Sequence, residues 1–173
     1  MFRGSADARI DTKGRLKIPS KFRSTLRDEF GTKLFVTSFG APCMRIYPLT
    51  EWIEWEEILR KSGWGEDPKV VRFLRTVDFY GDEQEIDSQG RFLIHPRLRK
   101  HASMNGEVVV LGHPTNLLEV WNLEIFMELQ AKEPLTEDVI RFVSGIVREA
   151  RHGQGLPTPP GHDLGDDGTP PDD

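Results

Sequence analysis

Polar and apolar residues alternate over Arg15-Leu16-Lys17-Ile18, the two-residue period of a half-buried strand. The preceding Asp11-Thr12-Lys13-Gly14 predicts a turn, because Asp bonds the backbone ahead of it and Gly accepts a positive φ. Phe22 and Leu26 lie one helical turn apart and predict a short helix. Two strands are expected next, near 33–38 and 43–48, joined by a hairpin at Phe39-Gly40-Ala41-Pro42. A helix follows, capped by Thr50, with Trp52, Trp55, Ile58 and Leu59 on one face, ending at Gly63. Asp67-Pro68 opens another, with Val70, Val71, Leu74 and Val77 inward, closed by Gly81.

The second half repeats this order. Asp87-Ser88-Gln89-Gly90 is a turn, and the run Phe92-Leu93-Ile94 predicts a strand buried on both faces. Leu98 and Ala102 mark a short helix, and strands are expected near 107–112 and 117–121, joined through Gly112-His113-Pro114-Thr115-Asn116. Asn122 caps a helix carrying Leu123, Phe126, Met127 and Leu129, which Pro134 breaks. Thr136 caps a last helix to about residue 150, with Val139, Ile140, Val143, Ile146 and Val147 forming a stripe for a core or an interface.

The repetition extends to residue identity. Ile-Asp-Thr-Lys-Gly-Arg-Leu-Lys-Ile-Pro-Ser-Lys-Phe-Arg at 10–23 aligns with Ile-Asp-Ser-Gln-Gly-Arg-Phe-Leu-Ile-His-Pro-Arg-Leu-Arg at 86–99. Six of these fourteen positions are identical and four more are conservative. Unrelated segments of this length share about one identity. The likeness continues at an offset of 74, with 34–36 on 108–110 and 44–47 on 118–121. The chain is therefore a tandem duplication. One unit of about 45 residues is too small for a good core, so the two copies are expected to pack together. The expected fold class is α+β, mainly β with peripheral helices.

Composition refines this picture in two places. Residues 152–173 contain five Asp, five Gly, five Pro and no Lys or Arg, and are expected to be a disordered acidic tail. The 28 acidic residues less those five leave 23, matching the 23 Lys and Arg, so the net charge of −5 belongs to the tail. Within the neutral body, residues 1–27 hold eight Lys or Arg against Asp7 and Asp11, a local charge of +6. Such a cluster suits nucleic acid but is also common on solvated faces. No apolar run is long enough for a membrane span, and Met1-Phe2-Arg3-Gly4 has no apolar stretch, so no signal peptide is expected. The lone Cys43 excludes an intrachain disulfide and is expected to be a small buried residue.

The opening Met-Phe-Arg-Gly and the two Asp-x-x-Gly-Arg segments closely resemble the MraZ family of bacterial transcriptional regulators, over roughly residues 1–150. That family belongs to the AbrB-like swapped-hairpin DNA-binding proteins. The resemblance implies two tandem AbrB-like units, 5–48 and 81–124, interlocked in one pseudo-twofold β-barrel. Linking helices would fill 49–80 and C-terminal helices 125–151. It also implies a cytoplasmic, nucleoid-associated homo-oligomer, commonly a ring. Its ligand would be double-stranded DNA carrying short G-rich direct repeats upstream of the division and cell-wall gene cluster. DNA contact falls to the D-x-x-x-R motif, here Asp11 with Arg15 and Asp87 with Arg91.

The chemistry of the residues supports that assignment. The forked donors of an Arg beside a Gly-containing turn can grip guanine O6 and N7 together, and a preceding Asp can orient them. Lys13, Lys17, Lys21 and Arg23 are expected phosphate contacts, joined by Arg97, Arg99 and Lys100 in copy two. Copy two departs from copy one at His95, where copy one has Pro19. This shift is expected to loosen the strand-to-helix turn, with a structural His95 favoured over a phosphate contact. No enzyme constellation is found, and neither a metal, a cofactor nor a small-molecule substrate is implied. Two other classes compete. A MazE-like antitoxin would use the tail to wrap a toxin, but the tail offers only Leu156 and Leu164 as anchors. A purely structural ring leaves the duplicated D-x-x-x-R without a purpose.

Overall fold

The computed structural model describes residues 1–40 and 42–151. The acidic segment 152–173 and Ala41 of the first hairpin lie outside the described residues. The chain divides into two compact units, Met1–Ala131 and Lys132–Asp173.

The first unit is built on eight antiparallel strands. Copy one supplies β1 (Ser5–Ile10), β2 (Arg15–Lys17), β3 (Lys33–Thr37) and β4 (Cys43–Pro48), with helix α1 (Ser20–Glu29) between β2 and β3. Helices α2 (Leu49–Lys61) and α3 (Pro68–Tyr80) lead to copy two. Copy two supplies β5 (Asp82–Glu85), β6 (Arg91–Leu93), β7 (Gly106–Gly112) and β8 (Leu118–Asn122), with α4 (Pro96–His101) between β6 and β7. Helix α5 (Leu123–Lys132) follows.

Strand order is β5-β3-β4-β8-β7-β1-β2-β6. The two end strands are consecutive in the chain and joined by the 86–90 turn, so the sheet curls into a nearly closed barrel. The copies interlock: β1 pairs with β7, and its counterpart β5 pairs with β3. Equivalent strands also pair with each other, placing Leu16 opposite Phe92 and Arg45 opposite Glu119. Those are the same positions of the duplication, so the pseudo-twofold axis passes between them. One apolar cluster draws on both copies, with Leu16, Ile18, Phe22 and Leu34 meeting Phe92, Ile94, Leu98 and Val108. A second cluster, Phe35, Trp52 and Val77, seats α2 and α3 on β3, with Trp52 stacked on Phe35 at 4.3 Å between ring centroids.

Helix ends follow local chemistry. Asp67 accepts the Lys69 N–H at 2.7 Å, with Pro68 at the first helical position. Asn122 Oδ1 accepts from Glu124 N–H at 3.1 Å and Ile125 N–H at 3.3 Å. Thr50 is not the cap of α2: the helix begins one residue earlier, after Pro48, and Thr50 sits inside its first turn. Pro48 (φ −53°, ψ 135°), Pro19 (−55°, 142°) and His95 (−54°, 134°) enter their helices with one backbone geometry. His95 therefore does not loosen its turn. Its Nδ1 accepts the Arg97 N–H at 3.2 Å, a structural role.

Several apolar positions expected in a core or an interface stay uncovered within one chain, because an apolar stripe is longer than the surface that covers it. Leu93 is not buried on both faces as the run 92–94 suggested. It is 50% exposed, because its neighbours Phe92 and Ile94 take the inner face and no helix covers the outer one. Ile58 of α2, Val71 of α3 and Met127 of α5 are likewise exposed. The described part of the second unit holds α6 (Glu137–Arg151), started by Thr136, whose Oγ1 accepts the Val139 N–H at 3.4 Å. Phe142, Val143 and Val147 lie along its apolar side, and none of its residues is buried.

Candidate nucleic-acid interface

The two turns are built alike. In the first, the Asp11 carbonyl accepts the Gly14 N–H at 2.9 Å and the Asp11 N–H donates to the Arg15 carbonyl at 3.0 Å. Gly14 takes φ +79°, and Gly90 takes φ +78° in the second turn. Asp11 Oδ1 accepts the backbone N–H groups of Lys13 and Arg15, each at 2.9 Å. Its Oδ2 accepts Arg15 Nε at 2.8 Å. Asp87 repeats this: Oδ1 accepts the N–H groups of Gln89 and Arg91, and Oδ2 accepts Arg91 Nε, all at 2.9 Å. Both carboxyls are held below the usual carboxylate pKa. The leading cause is the backbone N–H of Arg15 or Arg91, opposed by a smaller desolvation and reinforced by the guanidinium. Each Asp thus locks its own turn and fixes one edge of its arginine.

Each turn is also clamped by the other copy. Arg23 of α1 lies against Gly90 and donates through Nη1 to the Gln89 carbonyl at 2.9 Å. Its counterpart Arg99 of α4 lies against Gly14, where any Cβ would collide with the guanidinium. Backbone bonds run the same way: Ile18 N–H to the Gly90 carbonyl at 2.9 Å, and Ile94 N–H to the Gly14 carbonyl at 3.0 Å. Sequence reasoning missed this bracing because it joins residues far apart in the chain. Beside the turns lie two related clefts. One, of about 640 Å³, is lined by Arg9, Asp11 and Arg99; the other, of about 340 Å³, by Arg23, Arg27 and Asp87.

The pairing of β2 with β6 sets the outer face between the turns. Leu16 and Phe92 point inward, so Arg15, Lys17, Arg91 and Leu93 point outward. Arg15 stands opposite Leu93, and Lys17 opposite Arg91. With Lys13, four of the expected cations and the two aspartates' turns are gathered here. Lys21 and Arg97 are engaged elsewhere. Lys21 Nζ donates to the Ser5 carbonyl at 3.1 Å, and Arg97 Nη1 to the Phe79 carbonyl at 3.1 Å, its guanidinium 4.2 Å over the Phe79 ring. Among the described residues no group of three or more His, Cys, Asp or Glu could hold a metal, and no helix is long and apolar enough to cross a membrane. Cys43 is buried on β4, and burial followed by the Glu119 charge pushes its thiol up to about 11.

The family model "MraZ protein, putative antitoxin-like" matches residues 1–65 and 81–143, which include all eight strands and both turns. The chain belongs to the MraZ family. Relatives bearing the name transcriptional regulator MraZ match this chain over most of their own length. One from Koribacter versatilis is 41% identical over 84% of this chain and 99% of its own. One from Acidobacterium capsulatum is 38% identical over 80% of this chain and 93% of its own. Another, from Tolumonas auensis, is 39% identical over 70% of this chain and 80% of its own. The MraZ match skips residues 66–80, which hold α3, so that helix lies outside the matched core.

Proposed function

We propose that this chain is a sequence-specific DNA-binding regulator that reads bases with Arg15 and Arg91. The observation that carries the reading is the duplicated Asp–Arg turn: each Asp takes the Nε edge, Asp87 reaching Arg91 Nη2 at 2.9 Å as well, and leaves the far side of a pre-oriented guanidinium for a base. The β2–β6 ribbon has the width the major groove admits, and bidentate Arg on guanine O6 and N7 is the commonest specific contact there. Lys13 and Lys17 supply phosphate contacts, as do the outer edges of Arg23 and Arg99 beside their clefts. Lys21 and Arg97 add charge from α1 and α4. The units 5–48 and 81–124 act as a pair of reading heads. The helices 49–80 and 125–151 carry contacts between copies of the chain, in a ring, in the cytoplasm on the nucleoid. The matching DNA is a set of short G-rich direct repeats upstream of the division and cell-wall genes. A gel shift with the DNA upstream of its own gene tests this. Retention that a scrambled duplex competes as well as the natural one overturns it.

A further inference from the structure

We propose that Leu93 is a second base-reading side chain, taking the C5 methyl group of a thymine within two base pairs of the guanine read by Arg15. This rests on the DNA-binding reading above and deepens it.

The outer face of the β2–β6 ribbon has four positions, and three are cationic: Arg15, Lys17 and Arg91. Leu93 is the fourth and is half exposed. A single exposed Leu is ordinary on a protein surface. This one stands directly opposite Arg15, and facing side chains on paired strands have Cβ atoms about 4.5–5.5 Å apart. Successive bases on one strand are about 3.4 Å apart, so a side chain beside Arg15 reaches one or two base pairs from its guanine. In the major groove only thymine presents a methyl group, and apolar side chains are its usual contact. Flanking cations make the patch a poor fit for an apolar protein partner and a good one for a groove lined by phosphates.

The duplication sharpens the inference. Lys17 occupies the equivalent place in copy one, so Arg91 has a lysine beside it where Arg15 has a leucine. The barrel is twofold in backbone but not in what it presents to DNA. A methyl contact on one side only fixes the direction in which each barrel lies on its site.

The test uses full-length protein and duplex DNA selected by it from a random pool. Thymines are replaced one at a time by deoxyuridine, which removes only the methyl group. Wild-type protein is expected to lose about fourfold in affinity at one position, what burying one methyl-sized group contributes. Leu93→Ala should bind the thymine site about fourfold more weakly and be indifferent to that replacement, while Leu93→Met should recover the sensitivity. Arg15→Ala should lose sensitivity to 7-deazaguanine within two base pairs of the same thymine. Indifference of the wild type to every deoxyuridine overturns the proposal, as does a Leu93→Ala variant that keeps the sensitivity. A sedimentation shift in Leu93→Ala with methyl sensitivity intact assigns Leu93 to a contact between copies instead. If the pool yields no enriched sequence, the DNA reading fails and this proposal with it.

Discussion

Asp11 has one oxygen on two backbone N–H groups and the other on Arg15 Nε, and that division makes it replaceable by nothing similar. In Asp11→Asn the remaining oxygen can serve the turn, but the amide then sets its own N–H donors against Arg15 Nε. Specific affinity should fall in a binding titration, although removing a negative charge favours phosphate contact; tighter binding to every sequence contradicts the orienting role. Arg15→Ala should cost about 1–3 kcal/mol per contacted site and flatten base preference, whereas Lys21→Ala weakens specific and scrambled DNA alike. The two are told apart by measuring both on both duplexes. The carboxyls also set an acid limit. Their folded-state pKa values lie below the unfolded value of about 3.9, so the turns' contribution is complete above that pH. It is lost as pH falls through the lower, folded value. The Arg15 Nε–H resonance should hold its native position at pH 5 and move only below about 4; movement near neutrality contradicts this. The Asp–Arg pairing was legible because both partners sit four residues apart. Arg23 was legible as a cation only, since its partner Gln89 is 66 residues away.

Elements were most legible where a local signal opened them, as at Asp67-Pro68 and Asn122. They were least legible where the signal depended on what lies above the element. The run Phe92-Leu93-Ile94 has the composition of a strand buried on both faces, but β6 is the end strand of the order and its outer face is bare. Thr50 looked like a cap by residue type, yet Pro48 already holds the entry geometry, so α2 starts before Thr50 can act. At α4 the same geometry is held without proline, and the His95 ring supplies a hydrogen bond instead. His95→Ala should lower stability by about 0.5–1 kcal/mol in urea unfolding, the low end for a lost cap. His95→Pro, restoring the residue of copy one, should recover most of that by restricting the unfolded chain. Equal losses in both variants contradict the capping role.

At the scale of the molecule, one barrel offers only two Asp–Arg turns, too few to hold DNA tightly at physiological salt. Several barrels on one duplex make each later contact intramolecular, with gains of about 10²–10⁴ where spacing permits. Direct repeats should therefore bind far more tightly than one repeat, and half a helical turn inserted between them should abolish the gain. Sedimentation should show a species well above 19.8 kDa. A monomer that binds one repeat as tightly as several contradicts the arrangement. The duplication announced two copies, but not that each would complete the other: β1 finds its partner strand 96 to 106 positions away, Ile10 on Gly106 and Ser5 on Leu111. That interlock has a consequence during synthesis. A ribosome adding about 5–20 residues per second exposes β1 and β2 for several seconds before β7 emerges. Copy one cannot settle first and wait as an independent module, since β1 lacks β7 and β3 lacks β5, one neighbouring strand each, until copy two arrives. Nascent chains halted after Tyr80 should thus present unpaired strand edges to chaperones, and protection from proteolysis should appear abruptly once Asn122 has cleared the exit tunnel.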